Sequence, residues 1–108
     1  MPHPVFLGEF EQLVLLALLK IQNEPYALRL REELTSLAGR PVSRGALYRT
    51  LDRLEQKGYV TWETEEGGPH RRGHVRRRFA VTDEARSVLR SSREALLELW
   101  GAVEEALG

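Results

Sequence analysis

Apolar residues first recur at helical spacing. Between Leu7 and Gln22 they occupy Phe10, Leu13, Val14, Ala17, Leu18 and Ile21, the stripe of an amphipathic helix. Leu15, Leu16 and Leu19 fill most of the other side. A helix apolar nearly all round is buried on more than one side, so a second chain is expected to cover one of them. A turn at Asn23-Glu24-Pro25 leads into a second helix, expected from about Pro25 to Ala38. Pro25 stands at its start and Gly39 ends it, with Ala27, Leu30, Leu34 and Leu37 as its stripe. After the connector Arg40-Pro41-Val42, Ser43 is placed to cap a third helix that runs to about Lys57 and stops at Gly58. At about 100° per residue, Leu47, Leu51 and Leu54 share one face of it. Gly45, Arg49, Asp52, Arg53 and Gln56 lie opposite, with Tyr48 at the edge.

From Tyr59 the period becomes two. Val60, Trp62 and Thr64 alternate with Tyr59, Thr61 and Glu63, and Val75, Arg77, Phe79 and Val81 alternate with Arg76, Arg78 and Ala80. The turn-rich run Gly67-Gly68-Pro69-His70-Arg71-Arg72-Gly73 makes these strands a hairpin. Thr82 is placed to cap a last helix, with Asp83 and Glu84 favourable in its first turn. Ala85, Leu89, Leu96, Leu99, Trp100, Val103 and Leu107 form its stripe. No core is left within the chain to cover about 24 residues of such a helix, so this stripe also points to a partner chain. The expected fold is mainly α with a small β-hairpin, in one domain of 108 residues. Residues 7–81 form a winged helix-turn-helix, and residues 82–108 a dimerisation helix.

The charge balance is even, with 16 Lys and Arg against 16 Asp and Glu, so any basic surface must come from local segregation. Cysteine is absent, which excludes disulfides, Cys-based zinc sites and a thiol nucleophile and fits a reducing compartment. The longest apolar run, Leu13 to Leu19, is far short of a membrane span, and acids rather than a basic segment precede it. A cytoplasmic domain is the expectation.

Helix, short connector, helix and hairpin in that order make a helix-turn-helix followed by a wing. From Gly67 to Val81 there are five arginines and no acid. The third helix adds Arg44, Arg49, Arg53 and Lys57 against Asp52 and Glu55. Much of the acid falls in the last helix and in Glu63 to Glu66, so a neutral total hides a basic helix face and a basic hairpin. The helix face has the width of a major groove, and Gly45 lets its N-terminus approach phosphate closely. Arg49 and Arg53 reach base edges or phosphates, and Asp52 orients an arginine or accepts from cytosine. The wing arginines Arg71, Arg72, Arg76 and Arg77 follow the backbone or enter the minor groove.

The run from Leu7 to Ala17 resembles the opening of PadR-type transcriptional regulators. The segment Val42-Ser43-Arg44-Gly45-Ala46-Leu47-Tyr48-Arg49-Thr50-Leu51-Asp52-Arg53-Leu54-Glu55-Gln56-Lys57-Gly58-Tyr59-Val60 is similar to that family's recognition helix and the strand after it. Arg76-Arg77-Arg78-Phe79-Ala80-Val81-Thr82 is similar to its wing return. The resemblance implies a homodimeric winged-helix repressor joined by its first and last helices, of the short subfamily with a single C-terminal helix. It also implies DNA contact by Ser43, Gly45, Tyr48 and Arg49, with Tyr48 on phosphate or sugar; Arg44 and Arg53 join the expected DNA-binding set through the charge of the same helix. Dimerisation is expected through Phe10, Leu13, Val14, Leu89, Leu96, Leu99, Trp100 and Val103.

Trp100 has two readings. It is core between dimer helices, or it is a flat wall for a small aromatic or apolar effector, with Phe10, Val14 and Leu96 around it. Some relatives carry a Trp on this helix that lines a central cavity. His70 and His74 are four apart but sit in the hairpin tip, so no metal is expected, and neither is a cofactor. No Gly-rich phosphate loop or placed acid–base pair supports an enzyme. The alternatives to a specific regulator are a winged-helix module that binds an acidic protein and an architectural protein that coats DNA without specificity.

Overall fold

The computed structural model describes residues 7–66 and 75–108. The chain runs α1 (Glu9–Lys20), α2 (Ala27–Ala38), α3 (Arg44–Gln56), β1 (Val60–Glu66), β2 (Val75–Val81) and α4 (Asp83–Leu107). The two strands pair antiparallel, with Val60 opposite Val81 and Glu66 opposite Val75. This is a winged helix-turn-helix followed by one long helix.

Local chemistry sets the boundaries. The Ser43 hydroxyl accepts the Ala46 N–H at 3.0 Å, and the Thr82 hydroxyl accepts the Ala85 N–H at 3.2 Å, so both expected caps form. Gly39 closes α2 in the left-handed region at φ 69°, which a residue with a Cβ adopts at a cost. Pro25 does not open α2 as the sequence suggests. Tyr26 is the N-cap, and the Pro25 carbonyl accepts the Phe79 N–H at 2.9 Å. The wing return strand thus uses the turn before α2 as a partner, which holds Pro25 outside the helix.

The core joins Val14, Leu15 and Leu18 of α1, Leu30 and Leu34 of α2, Leu47, Leu51 and Leu54 of α3, Val60 and Phe79 of the wing, and Ala85 and Leu89 of α4. Leu15 is fully buried, so the chain itself covers much of the face of α1 assigned above to a partner. Only Leu16 of that face is left half exposed, while Leu13 and Leu19 pack partly against the core. One α1 helix is wrapped by α2, α3 and β2 together, and three neighbours cover a wider arc than the sequence pattern credits to one short chain.

α4 behaves in the opposite way. Its first two turns seat Ala85 and Leu89 in the core, and the Ser92 hydroxyl donates to the Gln12 amide oxygen at 3.0 Å. From Arg93 onward every residue is exposed, including Leu96, Leu97, Leu99, Trp100 and Val103. No helix among the described residues is long and apolar enough to cross a membrane.

Candidate nucleic-acid interface

The α2–α3 connection is fixed by side chains as well as by backbone. Arg31 Nε donates to the Val42 carbonyl at 2.7 Å, and the Val42 N–H donates to Thr35 Oγ1 at 3.2 Å. Both bonds tie the connector to α2, so the start of α3 is held at a defined angle. Leu47, Thr50, Leu51 and Leu54 then bury one face of α3, and Gly45, Arg49, Asp52 and Gln56 are left facing out.

On that outer face, a Cβ placed on Gly45 would sit 3.1 Å from Arg49 Nη1. The Arg49 guanidinium therefore lies back over the bare backbone of the first turn. Both flanks of the face differ from the middle. Towards the wing, Arg44 stands 5.6 Å from the centre of the Tyr48 ring, a cation–π pair on adjacent turns. Towards α1, Arg53 Nη2 donates to Thr50 Oγ1 at 3.2 Å. Lys57 is drawn away altogether: its ammonium meets both Glu11 carboxylate oxygens, at 2.8 and 3.0 Å. Burial opposes ionisation of Glu11, but the Lys57 ammonium, the Gly8 N–H and the Arg53 charge outweigh it and hold the carboxyl below its ordinary range.

The wing is less basic than the sequence pattern implies. Register sets Glu63 opposite Arg78 and Glu65 opposite Arg76, so the acid run of β1 lies beside the arginines of β2. The expected segregation of these charges does not hold, because antiparallel pairing brings together residues far apart in the sequence. Arg77 takes a different course, with its guanidinium 4.4 Å from the centre of the Trp62 ring on the other face of the hairpin. Arg71 and Arg72 lie outside the described residues, as do His70 and His74.

An open cavity of about 860 Å³ separates the wing from the helices. Arg29 and Arg31 of α2, Arg44 and Tyr48 of α3, and Arg76 and Arg77 of β2 all line it. The structure therefore brings two expected α3 residues and two expected wing residues to one groove. Tyr26, also in its wall, was given no role by the sequence. It follows a proline at a helix boundary, and no motif marks it. Among the described residues, no three His, Asp or Glu side chains cluster as a metal site.

The expected dimer surface is revised at two positions. Val14 is fully buried in the chain's own core, so it can neither meet a partner nor line an effector cavity. Leu89 is also buried there. Leu96, Leu99, Trp100 and Val103 are exposed, and Phe10 and Leu13 are half-buried against the core.

Residues 15–91 match the family model of the transcriptional regulator PadR-like family. Comparison with curated proteins finds no match. Among solved structures, the fold is similar to a PadR-like transcription factor from Bacteroides fragilis, at TM-score 0.73 and 24% identity, covering 92% of this chain and 90% of that one. A PadR family transcriptional regulator from Eggerthella lenta DSM 2243 aligns at TM-score 0.69 and 29% identity, covering 92% and 86%. RosR of H. salinarum aligns at TM-score 0.67 and 27% identity, covering 91% and 81%.

Proposed function

Since the chain belongs to the transcriptional regulator PadR-like family and is a DNA-binding regulator of transcription, we propose that it acts as a homodimeric repressor whose grip on its operator a small aromatic or apolar effector releases. The observation that carries the dimer is the bare stripe of α4. Leu96, Leu99, Trp100 and Val103 stand in water on a helix whose first turns are anchored in the core. So many apolar side chains on one exposed helix face are the mark of an interaction surface. A second copy, applied by a two-fold axis, covers each stripe with the other and adds Leu16 with the half-buried Phe10 and Leu13 at the edge.

Each head presents the outer face of α3 to a major groove. Arg49 reads base edges there, Asp52 orients it or accepts from cytosine, and Ser43, Arg44, Gly45, Tyr48 and Arg53 follow the backbone. The wing supplies Arg71, Arg72 and Arg77 to phosphates. A two-fold dimer calls for a pseudo-palindromic site with half-sites about one helical turn or a multiple of it apart. The effector reading rests on Trp100, whose ring would meet its symmetric copy across the axis. An effector that binds one spacing of the two heads better than the other shifts the dimer out of its DNA-competent state.

Titration into labelled duplex from upstream of the protein's own coding region, beside a scrambled duplex, at two salt concentrations tests this. Preference for the upstream duplex and a steep salt slope support the reading. Equal binding to both makes the protein an architectural coat. Binding to neither moves the search to acidic protein partners of the wing.

A further inference from the structure

Arg76 is held by two groups on its own chain. Its guanidinium lies 3.6 Å from the centre of the Tyr26 ring, closer than either other arginine–aromatic pair among the described residues. The Tyr26 hydroxyl donates to Glu65 Oε2 at 2.8 Å, and Glu65 Oε1 lies 4.0 Å from Arg76 Nη2. Arg76 Nε is shielded from solvent and donates to no group among the described residues. Glu65 and Arg76 are direct cross-strand partners, and Tyr26 is the N-cap residue of α2, next to the Pro25 carbonyl that bonds β2. Three side chains from two parts of the sequence thus close one ring of contacts between helix-turn-helix and wing.

We propose that Tyr26, Glu65 and Arg76 form a latch that withholds Arg76 from DNA, fixes the wing against α2, and so limits the affinity for DNA of any sequence. Arg76 is a positioning residue, and the phosphate contacts of the wing belong to its neighbours. The physical ground is competition. The Tyr26 ring fixes the plane of the guanidinium, and the Glu65 carboxylate stands 4.0 Å from its Nη2, so a phosphate competes with that carboxylate for the guanidinium edge. Glu65 adds a second restraint, since its charge beside the DNA-facing groove repels the backbone. A regulator gains discrimination when its sequence-independent term is held down, because the specific contacts on α3 then decide where it stays. This inference rests on the DNA-binding reading above.

The test is the salt dependence of binding to random duplex for wild type, Glu65→Gln, Glu63→Gln and Arg76→Ala. Glu63→Gln removes the same charge from the same sheet face but touches no part of the latch. Glu65→Gln is expected to raise affinity roughly three- to tenfold at low salt and to steepen the slope by about one, as Arg76 becomes a phosphate ligand. Glu63→Gln is expected to change affinity by less than about twofold. Arg76→Ala is expected to leave the wild-type slope unchanged and to cancel the gain of Glu65→Gln. Equal gains from the two glutamine variants, or a slope lowered by about one in Arg76→Ala alone, overturn the latch while leaving the DNA reading intact. Absence of any binding by wild type removes both. The Arg76 Nε–H resonance gives a second readout. Ring current from Tyr26 shifts it upfield in the free protein, and the shift is expected to persist on DNA; its loss there overturns the proposal.

Discussion

Glu11 and Lys57 form an ion pair that joins the first turn of α1 to the end of α3, with a buried carboxylate at 2.8 Å from the ammonium. The same carboxylate accepts the Gly8 N–H at 2.9 Å, so it caps α1 as well. The pair spans 46 residues of sequence and fixes which way α3 lies against α1.

Its contribution depends on pH. The folded carboxyl ionises below its ordinary value of 4.5, so the unfolded chain takes up a proton first as the solution is acidified. The stability from this pair is fully present above the unfolded value and is lost as pH falls through the folded one. Glu11→Gln is expected to destabilise by about 1–3 kcal/mol at pH 7, and the cost is expected to shrink progressively as pH falls below 4.5. Urea melts of both proteins from pH 7 downward check it; a difference that does not shrink on acidification refutes the pair as its source.

Leu15 and Leu16 are neighbours with opposite fates. Leu15→Ala opens a cavity in the core and is expected to cost about 2–5 kcal/mol in thermal or urea unfolding. Leu16→Ala is expected to cost less than about 0.5 kcal/mol of monomer stability. Its effect falls on self-association, seen as a weaker dimer in sedimentation equilibrium.

Leu99→Glu places a charge in the middle of the α4 stripe. Sedimentation is expected to show a folded monomer, with the helical signal of the head retained and affinity for a two-half-site operator reduced at least a hundredfold. A variant that stays dimeric relocates the interface.

Arg49→Ala is expected to weaken binding to the operator by about 1–3 kcal/mol and to relax preference at one base position. Loss to scrambled duplex is expected to be smaller. An equal loss on both duplexes reassigns Arg49 to phosphate.

Arg31→Ala removes the donor that holds the Val42 carbonyl. The direction expected is a loss of specific affinity with little change in salt slope, because Arg31 orients α3 and touches no phosphate. Side-by-side slopes for Arg31→Ala and Arg44→Ala separate the two roles, and a slope lowered in both places Arg31 on the backbone.

The helices and their caps were legible because they depend on local chemistry. Ser43 and Thr82 each need only a backbone N–H three residues on, and Gly39 only its own missing side chain. Leu15 was misassigned because a helical pattern tells that a face is buried but not by whose atoms. The wing charges were misread for a related reason. Glu65 and Arg76 are eleven positions apart, and only the pairing register sets them face to face. Tyr26 escaped notice because its role exists only once β2 has returned beside α2.

Thr82 is where the long helix starts on the head. Its hydroxyl bonds the Gly58 carbonyl at 2.8 Å, and its N–H bonds the Tyr59 carbonyl at 3.1 Å. Ala85, Leu89 and the Ser92–Gln12 bond hold the first turns of α4 to the head, and the exposed residues 93–107 make an arm of about 22 Å at about 1.5 Å each. In the proposed dimer, with this arm clasped to its twin, a tilt of about 10° at its base would carry the head roughly 4 Å, close to the rise of one base pair. The contacts at the base of that lever would then decide whether both heads of the proposed dimer meet successive turns of the same groove.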